Sequence, residues 1–200
     1  MYTHFDKWKQ KLRRPELVEL AIFFHDVIYE GTAKEDELKS ADVYRTFAEE
    51  AGQPEADVEL VYRWIVATAT HAVVEEDTYD GYFFMDFDMA ILGVDQTQYT
   101  AYVQSVKEEY MNLKGYQKIP FVWEVMWCWG RPKAMSNFLK VPNIYSTKEF
   151  QTNLESRARE NLQEEIGKLL FHRNLFLAIC TVFGVIVTGL ALKCAATVWF

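Results

Sequence analysis

One stretch constrains this chain more than any other. Leu17, Val18, Leu20, Ala21, Ile22, Phe23 and Phe24 form an apolar run that ends abruptly in His25-Asp26. The run is too uniformly apolar for a surface helix, so it reads as a helix buried in a core. A carboxylate beside an imidazole at the end of such a helix is costly unless each finds a partner or a shared cation. The pair therefore predicts half of a metal site, with the other half supplied by later helices.

The remainder of the chain offers three candidates. His71 follows Thr68-Ala69-Thr70 at a helix end, and Asp86 and Asp88 sit in the apolar segment FMDFDMAILG. Adjacent helical residues point about 100° apart, so His25 and Asp26 can grip one ion only from the helix edge. Mixed imidazole and carboxylate donors suit Mn, Fe, Zn, Co or Ni better than Ca. Read singly, His71 is a core histidine and Asp86 a helix cap. The order of the set carries the signal.

Periodicity predicts helices throughout, with no alternating strand pattern. His4, Phe5, Trp8 and Leu12 give a short amphipathic helix, and Pro15 opens the next, which stops near Gly31. Further helices are expected over 37–51, from Pro54 to about His71, over 83–92, over 97–114 and over 120–139. An acidic loop is expected at 75–81. Ser146 and Glu149 have capping-box spacing for a last, highly charged helix. The tryptophan-rich segment with Trp123, Trp127 and Trp129 reads as core, with an interface as the alternative.

From Asn174 to Leu192 the chain carries no charge. Such a helix rises roughly 28 Å, about the hydrocarbon thickness of a bilayer. Lys168, His172 and Arg173 precede it, so the sequence predicts a single-pass C-terminal anchor with the N-terminal domain cytosolic. The expected organisation is a helical domain over 1–171, a transmembrane helix over 174–193 and a tail over 194–200. A net charge of -8 argues against a nucleic-acid-binding face. Cys128, Cys180 and Cys194 lie far apart, with no disulfide framework and no zinc spacing.

The segments LAIFFHDVIYE, EDELKSA, IVATATH and FMDFDMAILG, in this order, resemble the metal-dependent HD-domain phosphohydrolases. GRPKAMSNFL and IYSTKEFQTNLESRARENLQEEI are similar to that family's C-terminal region. The resemblance covers most of residues 1–171 and implies an all-α HD-domain bundle, here followed by the single transmembrane helix. It implies a divalent ion (Mn, Fe, Zn, Co or Mg) held by His25, Asp26 and Asp88, with Asp86 the runner-up for the distal aspartate. It assigns His71 to the same pocket, to orient substrate or support a ligand, and Glu37 as general base or water-positioning group. Asp36 stands where that family usually has Asn. Arg131 and Arg63 are candidates for phosphate binding. The family's first histidine ligand lies on the preceding helix, where this chain offers only His4, so the chain reads as N-terminally shortened. The implied activity is hydrolysis of a nucleotide or other small phosphoester by metal-activated water. The alternatives are a scaffold of the same fold without turnover, and a helical membrane adaptor in which His25 and Asp26 merely pair.

Overall fold

The computed structural model describes residues 1–30, 35–71, 79–113, 115 and 118–198; the side chains of residues 120, 121 and 183–198 are not described. It is all-α, with no strand among the described residues. The helices are α1 (Tyr2–Trp8), α2 (Pro15–Phe24), α3 (Glu35–Glu50), α4 (Glu55–Ala67), α5 (Tyr79–Met89), α6 (Gln96–Leu113), α7 (Pro120–Lys140) and α8 (Lys148–Val198).

Helix α2 is short because Pro15 starts it and its apolar stripe ends at Phe24. It stops well before Gly31: His25 is its C-cap, and the chain then turns away under control of α3. Ser40 Oγ both accepts from Ile28 N (3.0 Å) and donates to Ile28 O (3.2 Å). Asp36 accepts from Glu30 N at 3.0 Å. These bonds fix the segment that follows the His-Asp pair. Helix α2 packs on α4 and α5, α3 lies along α4, and α7 lies along α8. Val18, Ala21, Tyr44, Val61, Trp64, Ile65, Phe83 and Phe84 are fully buried where these helices meet.

Helix α5 ties the bundle together. It begins at Tyr79, so the end of the expected acidic loop is helical; residues 75–78 lie outside the described residues. Asp80 accepts from Arg13 N (2.9 Å) and Arg14 N (2.6 Å), at the entrance to α2. Asp86 accepts from Ser146 N (2.7 Å), Thr147 N (2.8 Å) and Thr147 Oγ1 (2.6 Å), at the entrance to α8. Thr147 is the residue that caps α8, since Phe150 N donates to its hydroxyl at 3.4 Å. The cap therefore lies one residue beyond the Ser146 that the capping-box spacing suggested, and Glu149 instead pairs with Lys11.

After α5 a 3-10 turn at Ala90–Gly93 lies against α8. Asn161 on α8 donates to Leu92 O and Val94 O at 2.8 and 2.9 Å. A Cβ on Gly93 would come within 2.6 Å of Leu154 Cβ, so only glycine permits this approach. Asp95, not Thr97, caps α6 by accepting from Thr97 N and Gln98 N.

The expected transmembrane helix is corrected. Among the described residues no helix is long and apolar enough to cross a membrane. The apolar stretch does not form a helix of its own; it is the far end of the 51-residue α8, whose earlier turns carry Glu155, Arg159, Glu164, Glu165 and Lys168. From Asn174 to Val182, the part with described side chains, the helix rises roughly 14 Å, about half a bilayer's hydrocarbon thickness. The side chains of 183–193 lie outside the described residues. The single-pass placement with a cytosolic domain rested on that span and is withdrawn with it.

Candidate functional site

The end of α2, the end of α4 and the last turn of α5 meet at one point. His25 Nδ1 lies 2.9 Å from Ile22 O. A carbonyl can only accept, so this nitrogen carries the proton and Nε2 is left to face the carboxylates. His25 Nε2 is 3.2 Å from Asp26 Oδ2 and 3.8 Å from Asp88 Oδ1. The other oxygen of Asp88 is 3.0 Å from His71 Nε2. Asp88 thus bridges two imidazoles drawn from different helices.

The local backbone explains how His71 reaches this point. It is the one non-glycine among the described residues with positive φ, at 51°. An L-residue in that region carries strain of about 1–2 kcal/mol, and here the turn swings the ring back toward Asp88. Phe138 on α7 supports it edge-on at 5.9 Å. Phe84 does the same for His25 at 6.1 Å.

The electrostatics follow from burial and charge. Burial lowers the pKa of His25, but the hydrogen bond and charge of Asp26, with the charge of Asp88, outweigh it and hold the imidazole above its ordinary value. Burial raises the Asp88 carboxyl, and His71 and His25 more than reverse that, leaving it below the ordinary carboxylate range.

Asp26, Asp88, His71 and Glu37 line a cavity of about 520 Å³, and His25 stands behind Asp26 and Asp88. Glu37, in the first turn of α3, has a buried Oε2 without a hydrogen-bond partner. The far wall is aromatic: Tyr102 and Tyr110 from α6, Trp123 and Trp127 from α7. Arg131 completes the lining, whereas Arg63 is not among the lining residues.

Asp86 stands elsewhere. Its side chain is 1% exposed and all its bonds run to residues 146 and 147, so as runner-up for the distal aspartate it is spent on α8. Burial pushes its carboxyl up to about 6, against the donors of Thr147 and Ser146. His4 packs on Phe150 at 5.5 Å and lines a separate small cleft with Lys7 and Trp8. Sequence reasoning missed the aromatic wall, having assigned Trp123 and Trp127 to the core. Both are 7% exposed, as core residues are, and the helical spacing of the two tryptophans was the available signal that they share a face.

Among the described residues no group of three or more His, Cys, Asp or Glu stands ready-made to hold a metal ion. The donors form two edges that share His25 Nε2. Ligands about 2.1 Å from one ion lie roughly 3.0–3.4 Å from each other, and the two edges measure 3.2 and 3.8 Å. Asp26, with a side chain 60% exposed, is free to adjust. The donor set fits a divalent cation in chemistry; the His25–Asp26 edge has the spacing of two ligands of one ion, and the His25–Asp88 edge is longer than that. Comparison with known proteins adds nothing to this: no family model matches the chain, and no curated protein or solved structure matches it either.

Proposed function

We propose that the cavity hydrolyses a small phosphoester with the help of a divalent metal ion, as the resemblance to HD-domain phosphohydrolases implies. One observation carries the reading: with Nδ1 donating its proton to the Ile22 carbonyl, the Nε2 of His25 is the nitrogen that faces two carboxylates beside a cavity of ligand size. An imidazole lone pair between two acidic groups demands a positive charge, and a cation supplies it as well as a proton does.

His25, Asp26 and Asp88 would hold the ion. When bound, a divalent ion lowers the pKa of coordinated water and neutralises a phosphoryl oxygen. Ile22 O fixes the tautomer and orientation of His25, the support a ligating histidine usually has. His71 holds Asp88 through its second oxygen and so sets the direction of the first. Glu37 offers an unspent acceptor on the cavity wall, suited to orient a water and receive its proton.

The test uses the full chain stripped with chelator. Mn titrated by calorimetry should bind with a stoichiometry of about one, and phosphate release from a panel of phosphoesters should require it. His25→Ala and Asp88→Asn should each weaken metal binding by about tenfold or more. A chain that binds no Mn and releases no phosphate overturns the reading. A chain that binds Mn and releases none is the scaffold alternative.

A further inference from the structure

The cavity carries an excess of one charge. Asp26, Glu37 and Asp88 line it, and Arg131 is the one Arg or Lys among its described lining residues. That arginine already has an anionic partner: its Nε donates to Glu165 Oε1 at 2.9 Å, and the two side chains are 11% and 6% exposed. Tyr99 donates its hydroxyl to the other oxygen of Glu165, so helices α6, α7 and α8 meet on this ion pair. A divalent ion on His25, Asp26 and Asp88 would offset two of the three carboxylates. The charge of Glu37 is then left over, and it acts across the cavity without direct contact. A surplus of this sign draws a cation, not a second anion.

The aromatic wall is the second observation, independent of the carboxylates. Tyr102, Tyr110, Trp123 and Trp127 line the cavity, and Tyr29, just beyond the His25-Asp26 pair, adds a fifth ring. Trp123 and Trp127 lie 5.7 Å apart between centroids, and Trp123 is fixed by a bond from its Nε1 to Lys107 O. Ring faces carry negative potential and attract a cation within about 6 Å. This wall already does so once, since the Arg131 guanidinium lies 5.3 Å from the centre of the Trp127 ring. Ring faces are poor hydrogen-bond acceptors. They suit an ammonium whose hydrogens are replaced by methyl groups better than one that must donate.

We infer that the aromatic half of the cavity receives a quaternary ammonium group, and that the ligand is a choline-type phosphate monoester. The rings of α6 and α7 take the methylated cation, the Glu37 carboxylate adds its charge, and the ester's phosphate points toward His25, Asp26 and Asp88. The inference names the substrate class of the proposed hydrolase. It rests on that reading for the fate of the phosphate, though not for the binding of the cation.

The test is therefore a binding test on the full chain with chelator present, read by tryptophan fluorescence, since Trp123 and Trp127 line the cavity. The probes are choline, 3,3-dimethyl-1-butanol, which has the same shape without the charge, and ethanolamine, which has the charge without the methyl groups. Choline should bind about tenfold tighter than either. Equal binding of the butanol, which would mean apolar filling only, overturns the inference. Equal binding of ethanolamine, which the carboxylates alone would give, also overturns it, and so does a chain that binds none of the three. This comparison needs no variant to fold. Tyr110→Leu should weaken choline by about fivefold and Tyr110→Phe, which keeps the ring, should not. Glu37→Gln should weaken choline and leave the butanol unchanged. Equal choline binding by Tyr110→Leu and the unmodified chain would count against the rings. With Mn restored, hydrolysis of glycerol phosphate by a chain that ignores choline would sink this inference and spare the hydrolase. Choline binding without release of phosphate from any ester would keep the cation site and sink the hydrolase.

Discussion

Replacing Asp86 and Asp88, two residues apart on α5, by alanine should have opposite consequences. Asp86→Ala removes the acceptor of Ser146 N, Thr147 N and Thr147 Oγ1, all within 2.8 Å. Orphaning each buried donor costs about 1–3 kcal/mol, so the three together cost roughly 6 kcal/mol. Against this, the buried carboxylate is itself expensive. With its pKa pushed up to about 6 from 3.8, removing the ionised group at pH 7 returns about 3 kcal/mol, at 1.36 kcal/mol per unit. The net loss is about 3 kcal/mol, which for a domain of this size lowers Tm by roughly 6–12 °C. Asp88→Ala removes a group whose side chain is 21% exposed and whose partners are two imidazoles at a cavity wall. Those rings can turn to water, so its cost should stay within about 1 kcal/mol. The assay is thermal and urea unfolding of both variants, followed by circular dichroism at pH 7, with Mn binding measured in parallel. Asp86→Ala should lose stability, and Asp88→Ala should keep stability and lose metal. Equal destabilisation, or a larger loss in Asp88→Ala, would refute the division of labour along α5.

Three further outcomes are expected. Gly93→Ala places a Cβ 2.6 Å from Leu154 Cβ and should cost about 1–3 kcal/mol in urea unfolding, through overpacking between the 3-10 turn and α8. Burial pushes the Cys128 thiol up, whereas Cys180 is exposed; peptide mapping after brief alkylation of the native chain should find Cys180 labelled well before Cys128. The Lys11–Glu149 pair holds the Glu149 carboxyl below its ordinary value. A depressed carboxylate stabilises the fold above the ordinary pKa and loses that contribution as pH falls through the folded value. Glu149→Gln should therefore lower stability slightly at neutral pH and make the acid side of the profile shallower, the two chains converging at low pH.

The all-α class and most helix positions were readable from apolar spacing, because Leu17, Val18, Ala21 and Ile22, or Val58, Val61, Trp64 and Ile65, fall on one helical face and are buried there. Helix ends were read less well. Asp95 rather than Thr97 caps α6, and Thr147 rather than Ser146 caps α8, since neighbouring Asp, Ser and Thr residues offer the same chemistry one or two places apart. The structure brings His25, Asp26, His71 and Asp88 together; the residues alone marked them as candidates, and their shared pocket was what the family resemblance implied. Residue type and periodicity alone did not separate Asp86 from Asp88; only the family resemblance ranked Asp88 first. Both are carboxylates in an apolar helix, and only the position of residues 146–147 decides that the first serves α8. Asp80 was overlooked for the same reason, its partners lying more than sixty residues upstream. The uncharged stretch at the C-terminus suggested a span, but among the described residues no helix is long and apolar enough to cross a membrane.

Helix α5 grips two segments far from it in sequence, residues 13–14 through Asp80 and residues 146–147 through Asp86. Such long loops are slow to close. A growing polypeptide therefore carries His25, Asp26, His71 and Asp88 well before it can assemble them. Until Ser146 and Thr147 have been made, the last turn of α5 lacks its clamp, and proteolysis between α7 and α8 should undo the assembly after the fact.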